Sequence, residues 1–213
     1  MFRVCVALHT RDLWPCLWTM DAATLWAIPL TKGQLMSIAV VYESMFGSTR
    51  QLATAIANTL AAYDTVAIRS VNDVESVSGA ELLVIGGPTH AHGMSRPATR
   101  AEAVKWADDE SKGLSLEPSA PGIGVREWIE GLETVPPLIV AFDSRIDTAR
   151  IFSGAASGHM EKELLGRGAR ALVPSMSFLV SGKTVLQPGE LERAHAWAVT
   201  VGEALAATRV ASA

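Results

Sequence analysis

The feature that most restricts this chain is the alternation of short β-rich apolar runs with segments whose apolar residues recur every three or four positions. From Met36 the text reads Met-Ser-Ile-Ala-Val-Val-Tyr, a continuous run of the kind a buried parallel strand shows. Ile38–Tyr42 is therefore a first strand, and residues 49–62 form a helix with Leu52, Ile56 and Leu60 on one face. A second strand is expected over 65–69, a short capped helix over 72–77, and a third strand over 81–87, which stops at Gly86-Gly87-Pro88. A short helix over 124–131 precedes a fourth strand over 138–142. A helix over 155–166 leads into an extended run over 171–180. The last helix, 190–208, carries Leu191, Ala194, Ala198, Val201 and Leu205 on one stripe. Strand and helix alternating in this way imply a parallel sheet covered on both faces. No internal repeat interrupts the pattern.

At 213 residues, 49% of them hydrophobic, the chain fits one ordinary domain with some excess. The formal charge of -4, with no long basic run, argues against nucleic acid or an anionic membrane surface as partner. No window approaches the ~18–20 apolar residues a membrane span needs. The excess lies in residues 1–35, which hold Trp14, Trp18 and Trp26 without sustained periodicity. Both cysteines, Cys5 and Cys16, fall there and read as lone thiols. Arg11, Asp12, Pro15, Asp21 and Pro29 interrupt any secretory signal, so a cytoplasmic location is expected. Residues 1–35 are expected to be an unstructured extension, or one not natively translated; a partner-binding or membrane-touching arm is the sharper alternative. The domain then occupies 36–208, with a tail over 209–213.

In an open α/β sheet, ligands sit beyond the carboxyl ends of the strands, where the strand order reverses. Three loops stand there. The first, Ser44-Met45-Phe46-Gly47-Ser48-Thr49, packs hydroxyls and a glycine at a helix start, where free backbone N–H groups and the helix dipole favour an anion. An ordinary N-cap is the plainer reading of the same residues. The second loop includes Pro88, Thr89, His90, His92 and Gly93. Its prolines and glycines restrict its shape and suit it to the edge of a flat heterocycle. Two surface histidines are the plainer reading, and a metal site needs more ligands than stand nearby. The third contains Phe142, Asp143 and Arg145, with Phe142 either lying against a ring or simply in the core.

Taken together, these loops resemble those of the flavodoxin family, from Met36 to about Ala207. The family's phosphate loop follows [Thr/Ser]-x-[Thr/Ser/Asn]-Gly-x-Thr. Here Ser44, Gly47 and Thr49 match it, while Phe46 departs from it and leaves only a backbone N–H at its position. Gly86-Gly87-Pro88-Thr89-His90 resembles the second flavin loop, and the segment after Phe142 matches the third in position. The resemblance implies a doubly wound five-stranded parallel sheet of order 2-1-3-4-5 and non-covalent flavin mononucleotide (FMN). The similar proteins that carry a Phe-Asp-Ser/Thr-Arg segment after strand four, as Phe142-Asp143-Ser144-Arg145 does here, lend no assigned reaction.

A receiver domain needs an acidic pair and a phosphorylatable aspartate at strand ends, whereas strand one ends here in Glu43-Ser44 and strand three in glycines. Ser181-Gly182-Lys183-Thr184 faintly suggests a nucleotide-hydrolase phosphate loop, but Ser177 stands where that motif needs glycine. Three roles remain: a one-electron carrier to a protein partner, a reductase of a small acceptor such as a quinone, or an interaction or sensor module without flavin. The intact phosphate loop disfavours the last. His90, His92, Arg96 and Arg145 give the flavin loops a less acidic surround than a docking carrier commonly has. Residues 108–122 are polar, with no face to bury, and are expected to be a lid over the flavin ring or disordered.

Overall fold

The computed structural model describes residues 37–212, so the expectations for residues 1–35 and the domain boundary at Met36 lie outside the described residues. Strands β1 (Ile38–Tyr42), β2 (Val66–Ser70), β3 (Leu82–Pro88) and β4 (Leu138–Ile146) run parallel in the order β2-β1-β3-β4. The fifth position is shared by two segments. β5 (Arg170–Ala171) pairs with the start of β4, and β6 (Met176–Val180) pairs with its end. The single extended run expected over 171–180 is thus broken. Pro174 sits in the gap, where a proline cannot donate to a ladder.

Alternation along the strands sorts the core into two layers. Ile38, Val40 and Tyr42 of β1 face helices α1 (Ser48–Leu60) and α6 (Glu190–Ser212). Ala39 and Val41 face α3 (Val125–Gly131) and α5 (Ala156–Gly166). On α6 the buried stripe includes Trp197, whereas Leu191 is 42% exposed and does not belong to it. The sheet is doubly wound, with helices on both faces. No helix of the described residues is long and apolar enough to cross a membrane.

Phe142 is fully buried, with its ring edge-on to Phe178 at 6.3 Å and to Trp197 at 6.2 Å. It shares a face with Leu138 and Val140 in the α1/α6 layer, so it does not lie against a ring in the strand-end loops.

Three further expectations are corrected. Residues 72–77 form turns rather than a helix. The Asn72 side chain donates to Ser119 O at 3.2 Å and accepts from Ile123 N at 2.9 Å, tying that segment to a distant loop. A helix unforeseen in the sequence, α2 (Pro97–Asp108), follows the β3 loop, with proline at its first position. Residues 108–122 do bury a face. Ala120 packs with Met45 and Ala103, Leu116 lies against them, and Glu117 N donates to Met45 O at 2.9 Å. That segment thus braces the first loop through a small apolar face that its polar sequence did not announce. The remaining helix, α4 (Arg150–Ser153), is a single turn after β4.

Candidate functional site

Helix α1 begins without a side-chain cap. Gly47, at φ +94°, stands at its N-cap, and the Gly47 N–H donates to Ser44 Oγ at 3.1 Å. A left-handed φ is cheap only for glycine, so this tight entry depends on it. The first-turn amides therefore remain available to a ligand. The Ser48 and Thr49 side chains border a cavity of about 360 Å³ at the strand ends, within the ~300–1,000 Å³ usual for small-molecule sites. Thr49 Oγ1 and Ser144 Oγ share a hydrogen bond of 2.8 Å, which joins the β1 and β4 loops across the floor. Arg50, the loop's own cation, is turned to Glu117 at 2.7 Å.

The β3 loop is held rigidly. His90 N donates to Gly93 O at 2.8 Å and Gly93 N to His90 O at 3.0 Å, closing a turn through Ala91 (φ +43°) and His92 (φ +75°). His92 also pairs with Gly154, where an added Cβ would stand 2.2 Å from His92 O. Thr89 N donates to Ser144 O at 2.8 Å, while Thr89 Oγ1 accepts from Ala156 N at 2.9 Å. The β3 and β4 loops are thereby locked to each other.

The sequence-expected residues divide accordingly. Met45, Phe46, Ser48 and Thr49 line the cavity, as do Pro88, Thr89, His90 and Arg145. Ser44 and Gly47 lie behind, shaping the helix entry. His92 is exposed and acts through its backbone, and Gly93 lies against the His159 ring. Phe142 and Asp143 stay inside the fold, where Asp143 Oδ2 accepts from Ser157 N at 2.8 Å at the start of α5. Ser144, Trp106 and Thr184 also line the cavity and were not foreseen. The first two had local signals, a hydroxyl at a strand end and an aromatic in an Ala-rich helical stretch. Thr184 arrives from a distant hairpin.

Arg145 Nη1 donates to Thr148 O at 2.7 Å and to Ser153 Oγ at 3.0 Å, yet its buried Nε–H has no partner. Among the described residues no cluster could hold a metal ion.

Half-buried His90 and buried Glu43 have opposite pH signatures. Burial lowers the His90 pKa below 6.5, and the Arg100 charge lowers it further. Between the two values the unfolded chain binds more protons, so this group makes stability rise with pH just below 6.5 and lose that gain as pH falls. Burial raises the Glu43 carboxyl above 4.5, against the opposing pull of Ser95, the Val125 N–H and Arg100. Here the folded state binds more protons, so stability falls as pH rises above 4.5. Urea midpoints of the flavin-free protein across pH 4–7.5 are expected to lose the first slope in His90→Gln and the second in Glu43→Gln. Unchanged slopes in both variants would refute these assignments.

Ser48 and Thr49 at the start of α1 and Arg145 in β4 thus line one cavity at the strand ends of a doubly wound α/β protein. The flavodoxin family profile matches residues 40–197. Among solved structures, the fold is similar to a flavodoxin from the domain Archaea at 18% identity, covering 79% of this chain and 97% of that one, with a TM-score of 0.52. It is similar also to flavodoxin 1 from Bacillus cereus at 12% identity, covering 78% and 97%, with a TM-score of 0.54. A search of curated protein sequences finds no match. The chain belongs to the flavodoxin family, and its cofactor is FMN.

Proposed function

We propose that this chain uses FMN to pass electron pairs to a small acceptor of the quinone class. FMN supplies the redox chemistry, accepting and releasing electrons at its ring. The observation that carries the reading is the charge around the ring end of the cavity. Arg145 lines the cavity as a cation, and His90, whose pKa is lowered by desolvation, lines it from the β3 loop. Glu102 is the one carboxylate among the described lining residues, and it lies 3.6 Å from its own Lys105. Negative charge gained on reduction is therefore met by a cation. That raises the potential and favours transfer in pairs. Trp106 and Ile146, 44% and 51% exposed, give the mouth an apolar rim suited to a flat apolar acceptor.

A hydrogen bond to a charged group is worth about 1.5–3 kcal/mol, and for two electrons about 1.4 kcal/mol corresponds to 30 mV. Arg145→Ala is thus expected to lower the two-electron potential by roughly 30–60 mV, as read by spectroelectrochemistry. NADH or NADPH oxidation should proceed with quinones present. The second reading is a one-electron carrier, favoured by Ile151 and Val185, whose exposed apolar side chains suit a protein partner. Two well-separated one-electron steps, with a potential indifferent to Arg145, would establish the carrier instead.

A further inference from the structure

The phosphate loop lacks a free cation, since Arg50 is paired with Glu117. FMN brings close to two negative charges to that spot, because a phosphomonoester loses its second proton near pH 6. A candidate to meet them stands at the tip of the hairpin after β6, beside Thr184, which lines the cavity.

After β6 the backbone turns back on itself. Val180 pairs with Leu186 in antiparallel fashion, Ser181 N donates to Val185 O at 2.8 Å, and Thr184 N donates to Ser181 O at 2.9 Å. The tip of this hairpin, Gly182-Lys183-Thr184, comes down on the start of α1. Thr184 lines the cavity, and its carbonyl accepts the hydrogen bond of the Ser48 hydroxyl. Thr184 has φ +58°, a conformation that is an outlier for a β-branched residue and is retained mainly where the surroundings enforce it. Among the described residues the other non-glycine positions with positive φ are Ala91 and His92. All three sit in the loops around this one cavity. Lys183, beside Thr184, is exposed and makes no ion pair among the described residues.

We infer that the hairpin tip Lys183–Thr184 is a clasp for the FMN phosphate, with Lys183 supplying the cation that the Ser44–Thr49 loop lacks. The inference rests on the FMN reading of the cavity and adds a ligand from the opposite end of the chain. The phosphate dianion is a stronger acceptor than the Thr184 carbonyl, so the Ser48 hydroxyl turns its proton to the phosphate. The tip is then released from Ser48, Thr184 relaxes from its left-handed conformation, and the Lys183 ammonium closes on the phosphate oxygens. Ser181-Gly182-Lys183-Thr184 thus serves an anion without the strand–loop–helix frame of a nucleotide-hydrolase motif.

The test titrates flavin-free protein with FMN and with riboflavin, following the quenching of flavin fluorescence, in wild type, Lys183→Gln and Lys183→Arg. Lys183→Gln is expected to weaken FMN binding about tenfold, with riboflavin affinity within about twofold of wild type. Lys183→Arg should retain most of the FMN affinity. Salt should weaken FMN binding more steeply in wild type than in Lys183→Gln. An FMN affinity unchanged in Lys183→Gln, an equal loss for riboflavin, or a Lys183→Arg as weak as Lys183→Gln would overturn the clasp. Equal binding of FMN and riboflavin by the wild type is a different failure, one that removes the phosphate assignment itself.

Discussion

Alanine at Gly86 is expected to destabilise the protein by about 3 kcal/mol or more, a large part of the ~5–15 kcal/mol that holds a domain folded. Gly86 lies in the middle of the sheet, with Tyr42 beside it on β1 and Phe142 beside it on β4. A Cβ built there stands 2.1 Å from Phe142 Cζ and 2.4 Å from Cε1, far inside contact distance. The ring has nowhere to go, because Phe178 and Trp197 hold it edge-on from the other sides. Strand and core must shift together, and close-packed interiors resist that. Chemical denaturation of Gly86→Ala checks the size of the loss. The double variant Gly86→Ala/Phe142→Leu should be more stable than the two single losses predict, because the smaller side chain relieves the clash. A Gly86→Ala variant within 1 kcal/mol of wild type would show that Phe142 is not so confined.

Gly86 and Gly87 were legible as the end of the third strand, but what fixes Gly86 is a side chain more than fifty residues away. The same division separates what the sequence disclosed from what it hid. Strand positions and the Ser44–Thr49 helix entry depend on neighbours in the chain, and periodicity and turn chemistry expose them, whereas the sheet order was implied by the family resemblance. The orientation of Phe142 was available in principle, since residues 138, 140 and 142 must share a face. Because that strand is apolar on both faces, polarity gave no sign of which face was which. Helix α2 was masked by the loop chemistry before it, although Pro97 and the Ala-rich stretch that follows are ordinary helix-start signals. Thr184 stood in a motif, Ser181-Gly182-Lys183-Thr184, whose local frame fits no nucleotide-hydrolase loop, and nothing nearby in the chain tied it to this cavity. It reaches the cavity because the chain folds back after β6 and lands on Ser48 from 136 residues away in sequence. The bracing by Glu117 is likewise long-range, with Arg50 and Met45 as its partners.

The phosphate end of the cavity should dominate flavin affinity, with FMN binding at least a hundredfold more tightly than riboflavin. Each hydrogen bond to a charged group contributes about 1.5–3 kcal/mol, and 1.4 kcal/mol is tenfold in affinity. Two such bonds, from among the α1 amides and the Ser48 and Thr49 hydroxyls, therefore account for roughly 10²–10⁴. Riboflavin lacks the phosphate and gains none of those bonds, in a site where Ser48 is 7% and Thr49 2% exposed. Thr49→Ala removes one donor and also the 2.8 Å bridge to Ser144, so about a tenfold loss for FMN is expected, with little change for riboflavin. Ser44→Ala acts differently. Its hydroxyl accepts from Gly47 N at 3.1 Å and sets the helix entry, so its loss misdirects the amides rather than deleting a contact. A tenfold weakening is expected there too, accompanied by a lower melting temperature of the flavin-free protein, whereas Thr49→Ala should spare that temperature more. Titration of the flavin-free protein with both flavins, read by fluorescence quenching, separates these effects. Riboflavin and FMN binding with equal strength to the wild type would show that the hydroxyl-rich start of α1 does not hold the phosphate.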